Sequence, residues 1–279
     1  NQLMDLFYWR AGTPILARTA GAQAVTLFTL GISFSQYFMT ASTAISGVIA
    51  PKIMQMVALD STKEQLTRMM IRVGRLQLAL LSVILVSFIS CGHDFLHLWV
   101  GKTIGDQTGT VWVGAVIVLL PLLVPLTQNT GLAILQALNI HKGRAIILFY
   151  SSLLCVILGY FISLYYGTIG MFIGTAISLF IGQVLMINRY YARTAGLDMR
   201  RFFRRTYGPL LLPSAVMILA GLGAVALLTL DNWFSFLAFA FCYGLLAVGT
   251  IWFFYLNRDE RDMFLGPLQK LIPSRHDKN

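Results

Sequence analysis

The chain has 279 residues, of which 57% are hydrophobic and only 11% are charged, and its mean hydropathy is +0.73. A soluble domain of this length carries far more charge, so this composition excludes water as the main solvent of the chain. The formal net charge of +10 raises the possibility of nucleic-acid binding. Whether the charge has this meaning depends on where the basic residues lie in the chain.

Long apolar runs recur along the whole chain, each near the ~20 residues that a helix needs to cross ~30 Å of hydrocarbon. They predict an all-α, polytopic membrane protein with about eight transmembrane helices, at residues 3–19, 23–47, 76–98, 111–137, 145–165, 168–190, 209–230 and 233–256. At the amino end, the alternative to a turn near Gly21 is a turn at Gly12–Pro14, which would leave one long span over residues 15–47. The chain starts at Asn1, without an initiator Met or a signal segment, which predicts that it is the carboxy-terminal part of a longer protein.

The basic residues fall in alternate links between the predicted spans, and the intervening links are nearly neutral. By the positive-inside rule, the basic links and the tail lie in the cytoplasm, together with both ends of the chain. This distribution accounts for the net charge without nucleic acid, since the basic residues mark one membrane face and are not interleaved with aromatic residues. The residues of the basic links are Lys52, Lys63, Arg68, Arg72, Arg75, Lys142, Arg144, Arg189, Arg193, Arg200, Arg201, Arg204 and Arg205, and those of the tail are Arg258, Arg261, Lys270, Arg275 and Lys278.

The predicted spans divide the chain into three parts. Residues 1–191 are expected to form a six-helix transmembrane bundle, residues 192–256 an additional helix pair behind a basic link, and residues 257–279 a cytoplasmic tail. Within the bundle, small residues at every fourth position predict that one helix packs closely against a neighbour. They are Gly170, Gly174, Ser178 and Gly182.

Arg10 is the first candidate for a substrate-binding residue. With a turn near Gly21 it lies about eleven residues, or ~16 Å, from the membrane boundary, which is near the bilayer midplane. An arginine at that depth costs at least ~2.5 kcal/mol on insertion scales, so it faces a watery cavity or a partner. Its planar, permanently charged fork suits a diphosphate or an acidic sugar. The alternatives are a structural pair with Asp5 and an interfacial position, and Asp5 is also a candidate for binding a coupling cation.

The second predicted span is rich in small and hydroxylated residues, for which lipid is a poor neighbour. Such residues either line an aqueous cavity or allow close helix packing, and packing is the explanation favoured for most of them. Gln36 and Tyr37 are the two side chains of this span that we select as candidates for binding substrate.

In the fourth predicted span, Pro121 and Pro125 each remove a backbone donor, and Gln128 and Asn129 follow directly. A broken helix with a polar run is expected where it lines a cavity. The sequence therefore predicts that Gln128 and Asn129 bind sugar hydroxyls. A simple proline kink, with its freed carbonyls satisfied by neighbouring helices, is the alternative.

Ser61 and Glu64 have the spacing of a capping box, which predicts a helix that starts in the cytoplasm and runs into the third span. Arg68, Arg72 and Arg75 then form one basic stripe at the interface. This stripe is a candidate for docking phosphates on the cytoplasmic leaflet. The favoured alternative is orientation of the span by arginines that extend to the interface.

The polar residues supply no nucleophile–base–acid set, phosphate-cradling glycine loop or acidic metal cluster. His93 and His97 are four residues apart near a predicted outer boundary and are assigned no metal. We therefore expect a protein that is not an enzyme and that uses no cofactor.

Several segments together are similar to one family. They are LFYWR at 6–10, STAISGVIAPKI at 42–53, RVGRLQ at 72–77, FLHLWVG at 95–101, LPLLVPLTQNTGLAILQA at 120–137 and NRYYARTAGLDMRRFF at 188–203. Over nearly its whole length the chain resembles the bacterial polysaccharide flippases, which are lipid-linked oligosaccharide translocases of the multidrug/oligosaccharidyl-lipid/polysaccharide exporter superfamily.

The resemblance implies a MATE-like fold, in which two helical bundles face each other across a cationic cavity and the eight spans are the last of fourteen. It implies flipping of a polyprenyl-diphosphate-linked oligosaccharide repeat by alternating access in the bacterial cytoplasmic membrane, for O-antigen, capsule or exopolysaccharide synthesis. Arg10 would hold the anionic repeat unit. The implied partners are membrane lipids, a coupling proton or sodium ion and other polysaccharide-assembly proteins. The alternatives are an ion-coupled multidrug or metabolite antiporter of the same fold and a membrane-embedded assembly enzyme or scaffold.

Overall fold

The computed structural model describes residues 8–228, 232–257 and 260–261, without the side chain of Val48. All regular structure within these ranges is helical, which confirms the predicted all-α class. Residues 8–10 are helical and lead into the numbered helices. These are α1 (Gly12–Thr19), α2 (Gly21–Ala58), α3 (Lys63–Ile104), α4 (Thr108–Thr127), α5 (Asn129–Ala137), α6 (Lys142–Leu179), α7 (Ile187–Tyr190), α8 (Met199–Thr206), α9 (Gly208–Leu227) and α10 (Trp233–Thr250). Wider π-helical turns occupy Phe180–Met186, Tyr191–Ala195 and Ile251–Tyr255, and a short 3₁₀ turn covers Gly105–Gln107.

Four helical stretches of the described chain are long and apolar enough to cross a membrane. Two of them contain a reversal, at Gly105 and Gly167, where φ is 55° in both cases. Only glycine adopts this backbone without strain, so each glycine separates two spans. The chain is therefore a multi-pass membrane protein. The four stretches are Lys63–Thr127, Lys142–Ala195, Met199–Leu227 and Trp233–Tyr255.

Helix α2 has 38 residues, which is long enough to span a membrane, and it carries many hydroxyl groups. The chain reverses just before it, at Ala20 and Gly21, where Gly21 has a φ of 84°. Gly12 then lies against the ring of Phe28, so α1 runs back along α2. The alternative turn at Gly12–Pro14 is wrong, because these residues are the first turn of α1.

Helix α6 contains the first three residues of the stripe of small residues, and Gly182 follows in the π-helical turn Phe180–Met186. A Cβ added to Gly174 would lie 2.8 Å from the Cα atom of Gly159, and one added to Gly170 would lie 2.8 Å from the backbone nitrogen of Ser163. The two halves of α6 therefore approach until their backbones touch, with Gly167 as the turn between them. This confirms the predicted packing role of the stripe.

Two predicted helix boundaries are found close to their expected places. Helix α3 is capped by Thr62, whose side chain accepts from the backbone of Gln65 while the Gln65 side chain accepts from the backbone of Thr62. The capping box is thus shifted by one residue from the predicted Ser61 and Glu64. The predicted break after Pro121 and Pro125 is confirmed, since α4 ends and α5 begins around Gln128.

Helices α9 and α10 pack along one side of α3. The Tyr243 hydroxyl donates to the Met217 carbonyl at 2.6 Å and lies 3.0 Å from the Ser90 hydroxyl, which ties the three helices together. The predicted division at residue 191 falls inside the π-helical turn Tyr191–Ala195, where the chain remains helical. The three-part division of the chain remains a prediction.

Candidate functional site

A cleft opens between the start of the described chain and the facing side of α2. Its volume is about 660 Å³. It brings together Arg10 and Gln36, two of the predicted substrate-binding residues. The full lining is Trp9, Arg10, Thr13, Pro14, Phe28, Thr29, Ile32, Ser33 and Gln36.

The position of Arg10 follows from that of Tyr8. The Tyr8 side chain is 5% exposed, and its hydroxyl donates to the carbonyl of Thr175 at 3.1 Å and lies 2.7 Å from the hydroxyl of Ser178. Tyr8 therefore fixes one side of its helix against α6. Two residues along a helix correspond to a rotation of about 200°, so Arg10 projects from the opposite side, into the cleft.

Arg10 is exposed, and its guanidinium makes no hydrogen bond or ion pair with any residue that the structure describes. Its donors are thus open to the cleft, and an arginine side chain carries five of them in a planar fork. Asp5, the predicted partner and cation ligand, lies outside the described residues.

Helix α2 presents a polar stripe to the same side. The stripe residues alternate at spacings of three and four, which places them on one face over about 26 Å of helix. Five of them are exposed and Ser33 is half-buried, so the described helices leave most of this face uncovered. The polar stripe is Thr26, Thr29, Ser33, Gln36, Thr40 and Thr43.

The hydroxyl groups of the polar stripe already donate to their own helix. Thr29 donates to the Val25 carbonyl at 2.8 Å and Thr40 to the Gln36 carbonyl at 2.9 Å, and the others bond in the same way. Their free lone pairs therefore face the cleft side as acceptors. Gln36 adds an amide with both donors and an acceptor, and no described residue hydrogen-bonds to its side chain.

Three other candidates lie elsewhere. Tyr37 is 63% exposed and does not line the cleft, because its ring turns toward Phe34 with 6.3 Å between ring centroids. Gln128 is buried and donates to the Asn188 side chain at 2.8 Å. Asn129 donates to the hydroxyl of Ser42 at 2.9 Å. These two amides join helices, and neither residue lines the cleft.

The basic stripe of α3 is divided by burial. Arg68 and Arg72 are exposed, whereas Arg75 is 5% exposed and pairs with Glu260 at 2.6 Å. Arg75 also donates to the carbonyl of Arg205 at 2.7 Å and to that of Tyr255. The phosphate-docking role predicted for Arg75 thus concerns a guanidinium that already donates its hydrogen bonds within the fold.

Glu64 is the acidic residue at the start of this stripe. Hydrogen bonds from Arg201, at 3.3 Å, and from Arg68, at 2.9 Å, lower the pKa of its exposed carboxyl below the usual value. Glu64 thus shares its charge between two arginines and neutralises neither completely.

The two histidines to which no metal was assigned, His93 and His97, both lie on α3. The Nδ1 atom of His93 lies 3.7 Å from a carboxylate oxygen of Asp94. Within the described ranges, no three His, Cys, Asp or Glu side chains come together in a way that could hold a metal ion.

The architecture and the cleft define a multi-pass membrane protein with a cationic, hydroxyl-rich face. No family model matches the chain, and the search of curated proteins found no match. Among solved structures, the chain is similar to the lipid II flippase MurJ in an inward closed conformation, with a TM-score of 0.57 and 17% sequence identity. The similarity covers 92% of this chain and 53% of the flippase chain. The chain thus has a flippase-like fold and spans about half the length of that protein.

Three residues that shape the cleft are not among the candidates predicted from the sequence. Tyr8 orients Arg10 without lining the cleft, and its signal in the sequence is the motif LFYWR. Thr29 and Ser33 line the cleft, and they belong to the hydroxylated residues of the second predicted span, for most of which packing is the favoured explanation. The alternation of polar residues at three and four along α2 was the available signal. This pattern identifies the cleft side of α2 only once the contact between Gly12 and Phe28 shows which face of α2 the neighbouring helix covers.

Proposed function

We propose that the chain forms one wall of a pathway that flips a polyprenyl-diphosphate-linked oligosaccharide across a membrane. The observation that carries the proposal is Arg10, an arginine without a described partner that projects into a cleft beside a hydroxyl-rich helix face. The similarity in fold to a lipid II flippase supports a lipid-linked cargo.

The chemistry of the cleft suits the two polar parts of such a cargo. The guanidinium fork of Arg10 binds a phosphate through two parallel, charge-assisted hydrogen bonds. Sugar hydroxyls donate to the free lone pairs of Thr29 and Ser33, and Gln36 offers both kinds of partner. The cargo thus replaces water bonds with bonds of similar strength, as passage through the pathway requires.

The open side of the cleft is where a second bundle would face this one. The chain corresponds to about half of the similar flippase, and two bundles that rock around a central site give alternating access. We place the protein in the bacterial cytoplasmic membrane with its basic links inside, acting in cell-surface polysaccharide synthesis as a transporter and not as an enzyme. Coupling to a proton or sodium gradient, with Asp5 as a cation ligand, belongs to the same proposal.

Flipping by the purified full-length protein in liposomes tests the proposal. With a fluorescent polyprenyl-diphosphate oligosaccharide as cargo, Arg10→Ala is expected to lower the flipping rate at least ~100-fold, because two charge-assisted hydrogen bonds contribute ~1.5–3 kcal/mol each. Arg10→Lys keeps the charge but loses the fork, so it retains an intermediate rate.

Arg18 provides the matched control, since it is an exposed arginine two turns further along and does not line the cleft. Arg18→Ala is expected to flip the cargo at the normal rate. A normal rate for Arg10→Ala would remove this residue from the pathway. Transport of drugs but not of the lipid-linked sugar by the normal protein would instead favour an antiporter.

A further inference from the structure

A second cleft lies where the cytoplasmic part of α3 meets α8 and the start of α9. Its volume is about 470 Å³, and it shares no residue with the cleft of Arg10. Five of its nine lining residues are arginines and one is acidic. We name it the arginine cleft, and its lining is Arg68, Ile71, Arg72, Arg75, Arg204, Arg205, Pro209, Asn257 and Glu260.

The acidic residue does not neutralise the exposed arginines. Glu260 is 4% exposed, and its Oε1 atom accepts from Arg75 at 2.6 Å. Its Oε2 atom accepts from Arg75 at 3.1 Å and from the backbone of Asn257 at 2.9 Å. Arg75 and Glu260 therefore cancel each other inside the wall of the cleft.

Three of the other four arginines have no partner among the described residues, and the fourth shares one. The exposed side chains of Arg72, Arg204 and Arg205 make no hydrogen bond or ion pair with the residues that the structure describes. Among the described residues, Arg68 pairs with Glu64 alone, and it shares this carboxylate with Arg201. Guanidinium groups held together in this way repel one another, and an anion in the cleft relieves that repulsion.

The position of the arginine cleft indicates which anion it takes. Pro209 in its lining is followed by the buried residue Leu210 and then by Leu211 and Leu212, which are 69% and 75% exposed. These leucines begin the apolar part of a membrane-spanning stretch, so the cleft lies within about one helical turn of the hydrocarbon. Lipid phosphates occupy that depth, and clusters of basic residues beside a span attract anionic headgroups.

We infer that Arg68, Arg72, Arg204 and Arg205 bind the phosphate of an anionic phospholipid at the cytoplasmic surface. Two guanidinium groups from α3 and two from α8 then bind the headgroup phosphate from opposite sides. The bound lipid joins α8 to α3 next to the Arg75–Glu260 pair. This site is separate from the proposed cargo pathway and does not depend on it.

Lipid binding to the purified full-length protein in detergent tests the inference, with phosphatidylglycerol and phosphatidylcholine as the probes and native mass spectrometry as the readout. The normal protein is expected to retain phosphatidylglycerol and to release phosphatidylcholine. The combined change Arg72→Gln, Arg204→Gln and Arg205→Gln is expected to weaken retention of phosphatidylglycerol about 100-fold. The backbone carbonyl of residue 205, which binds Arg75, is unaffected by this change.

The control removes the same charge from exposed arginines of the basic links that lie outside the cleft, by Arg189→Gln, Arg193→Gln and Arg200→Gln. It is expected to retain the lipid normally. Equal losses in both triple variants would overturn the inference in favour of a general attraction to a basic face, as would normal retention in the cleft variant. Glycerol phosphate that competed as tightly as the lipid would assign the cleft to a soluble phosphate instead. Equal thermal stability of the two variants shows that the loss is not a folding defect.

Discussion

The cleft around Arg10 and the junction around Arg75 both place an arginine among membrane helices, but they use its charge differently. Arg10 is exposed and has no partner among the described residues, whereas Arg75 is buried and bonds to Glu260 and to two backbone carbonyls. The Arg75 guanidinium also lies 4.4 Å from the centre of the Tyr255 ring. Residue type alone therefore does not identify a binding arginine. Changes at the junction should cost stability, and changes at the cleft should cost transport.

The largest effect is expected at the junction, for Arg75→Ala. This change leaves the carboxylate of Glu260 buried without its partner and removes donors from the carbonyls of Arg205 and Tyr255. Breaking a buried ion pair from one side costs ~3–5 kcal/mol, so the unfolding temperature of the purified protein should fall strongly. Thermal unfolding in detergent measures the change.

The double variant Arg75→Ala with Glu260→Ala separates pairing from packing. Because it removes both charges, its loss of stability should be smaller than the sum of the two single losses. An unfolding temperature of Arg75→Ala equal to that of the normal protein would show that this junction does not hold the fold.

A smaller loss of stability is expected for Gly174→Ala in α6. The new methyl group would meet the backbone of Gly159, which cannot rotate away as a flexible side chain would. Overpacking of this kind costs ~1–3 kcal/mol. The control is Gly223→Ala in α9, where a Cβ would meet no atom within 4 Å, and this variant should unfold at or slightly above the normal temperature. If both alanines behave alike, the halves of α6 do not pack through this stripe.

The contrast between α6 and the arginines shows what sequence alone can provide. The fold of α6 was predictable, because Gly170 and Gly174 lie on one face and Gly167 interrupts two apolar runs, and both signals are local. The break at Gln128 was predictable for the same reason, since Pro121 and Pro125 act on the residues beside them. The N-cap of α3 was placed one residue early because Ser61 and Thr62 are both good caps.

The partners of polar side chains could not be predicted, because they depend on contacts between distant parts of the chain. Arg75 and Glu260 are 185 residues apart in sequence, and Gln128 and Asn188 are 60 apart. No local pattern distinguishes Arg75 from Arg72, although one is buried and the other is exposed. The arginine cleft could not be predicted for the same reason, since α3 and α8 meet only in the folded protein.

Gln36 and Tyr37 are neighbours on α2, and a change at each tests which side of this helix faces the pathway. Gln36→Ala removes hydrogen bonds to the cargo worth ~1 kcal/mol, so flipping in liposomes should slow about fivefold while the unfolding temperature stays normal. Tyr37→Phe should flip at the normal rate, because Tyr37 does not line the cleft. The reverse result would place the pathway on the Tyr37 side of α2.

The smallest effect is expected at Glu64, where an exposed ion pair contrasts with the buried one at Glu260. The arginines Arg201 and Arg68 lower the pKa of the Glu64 carboxyl in the folded state. A carboxyl of this kind contributes stability above its unfolded pKa, and the contribution is lost as the pH falls through the lower folded pKa. Glu64→Gln should therefore lower the unfolding temperature slightly at neutral pH. It should have no effect at a pH below both the unfolded and the folded pKa of Glu64, and added salt should remove the difference at neutral pH.

Glu260→Gln at neutral pH should have a much larger effect, because the buried charge of Arg75 then has no counterion. If the two variants lowered the unfolding temperature equally, burial would not be what separates the arginines of the junction from those at the surface.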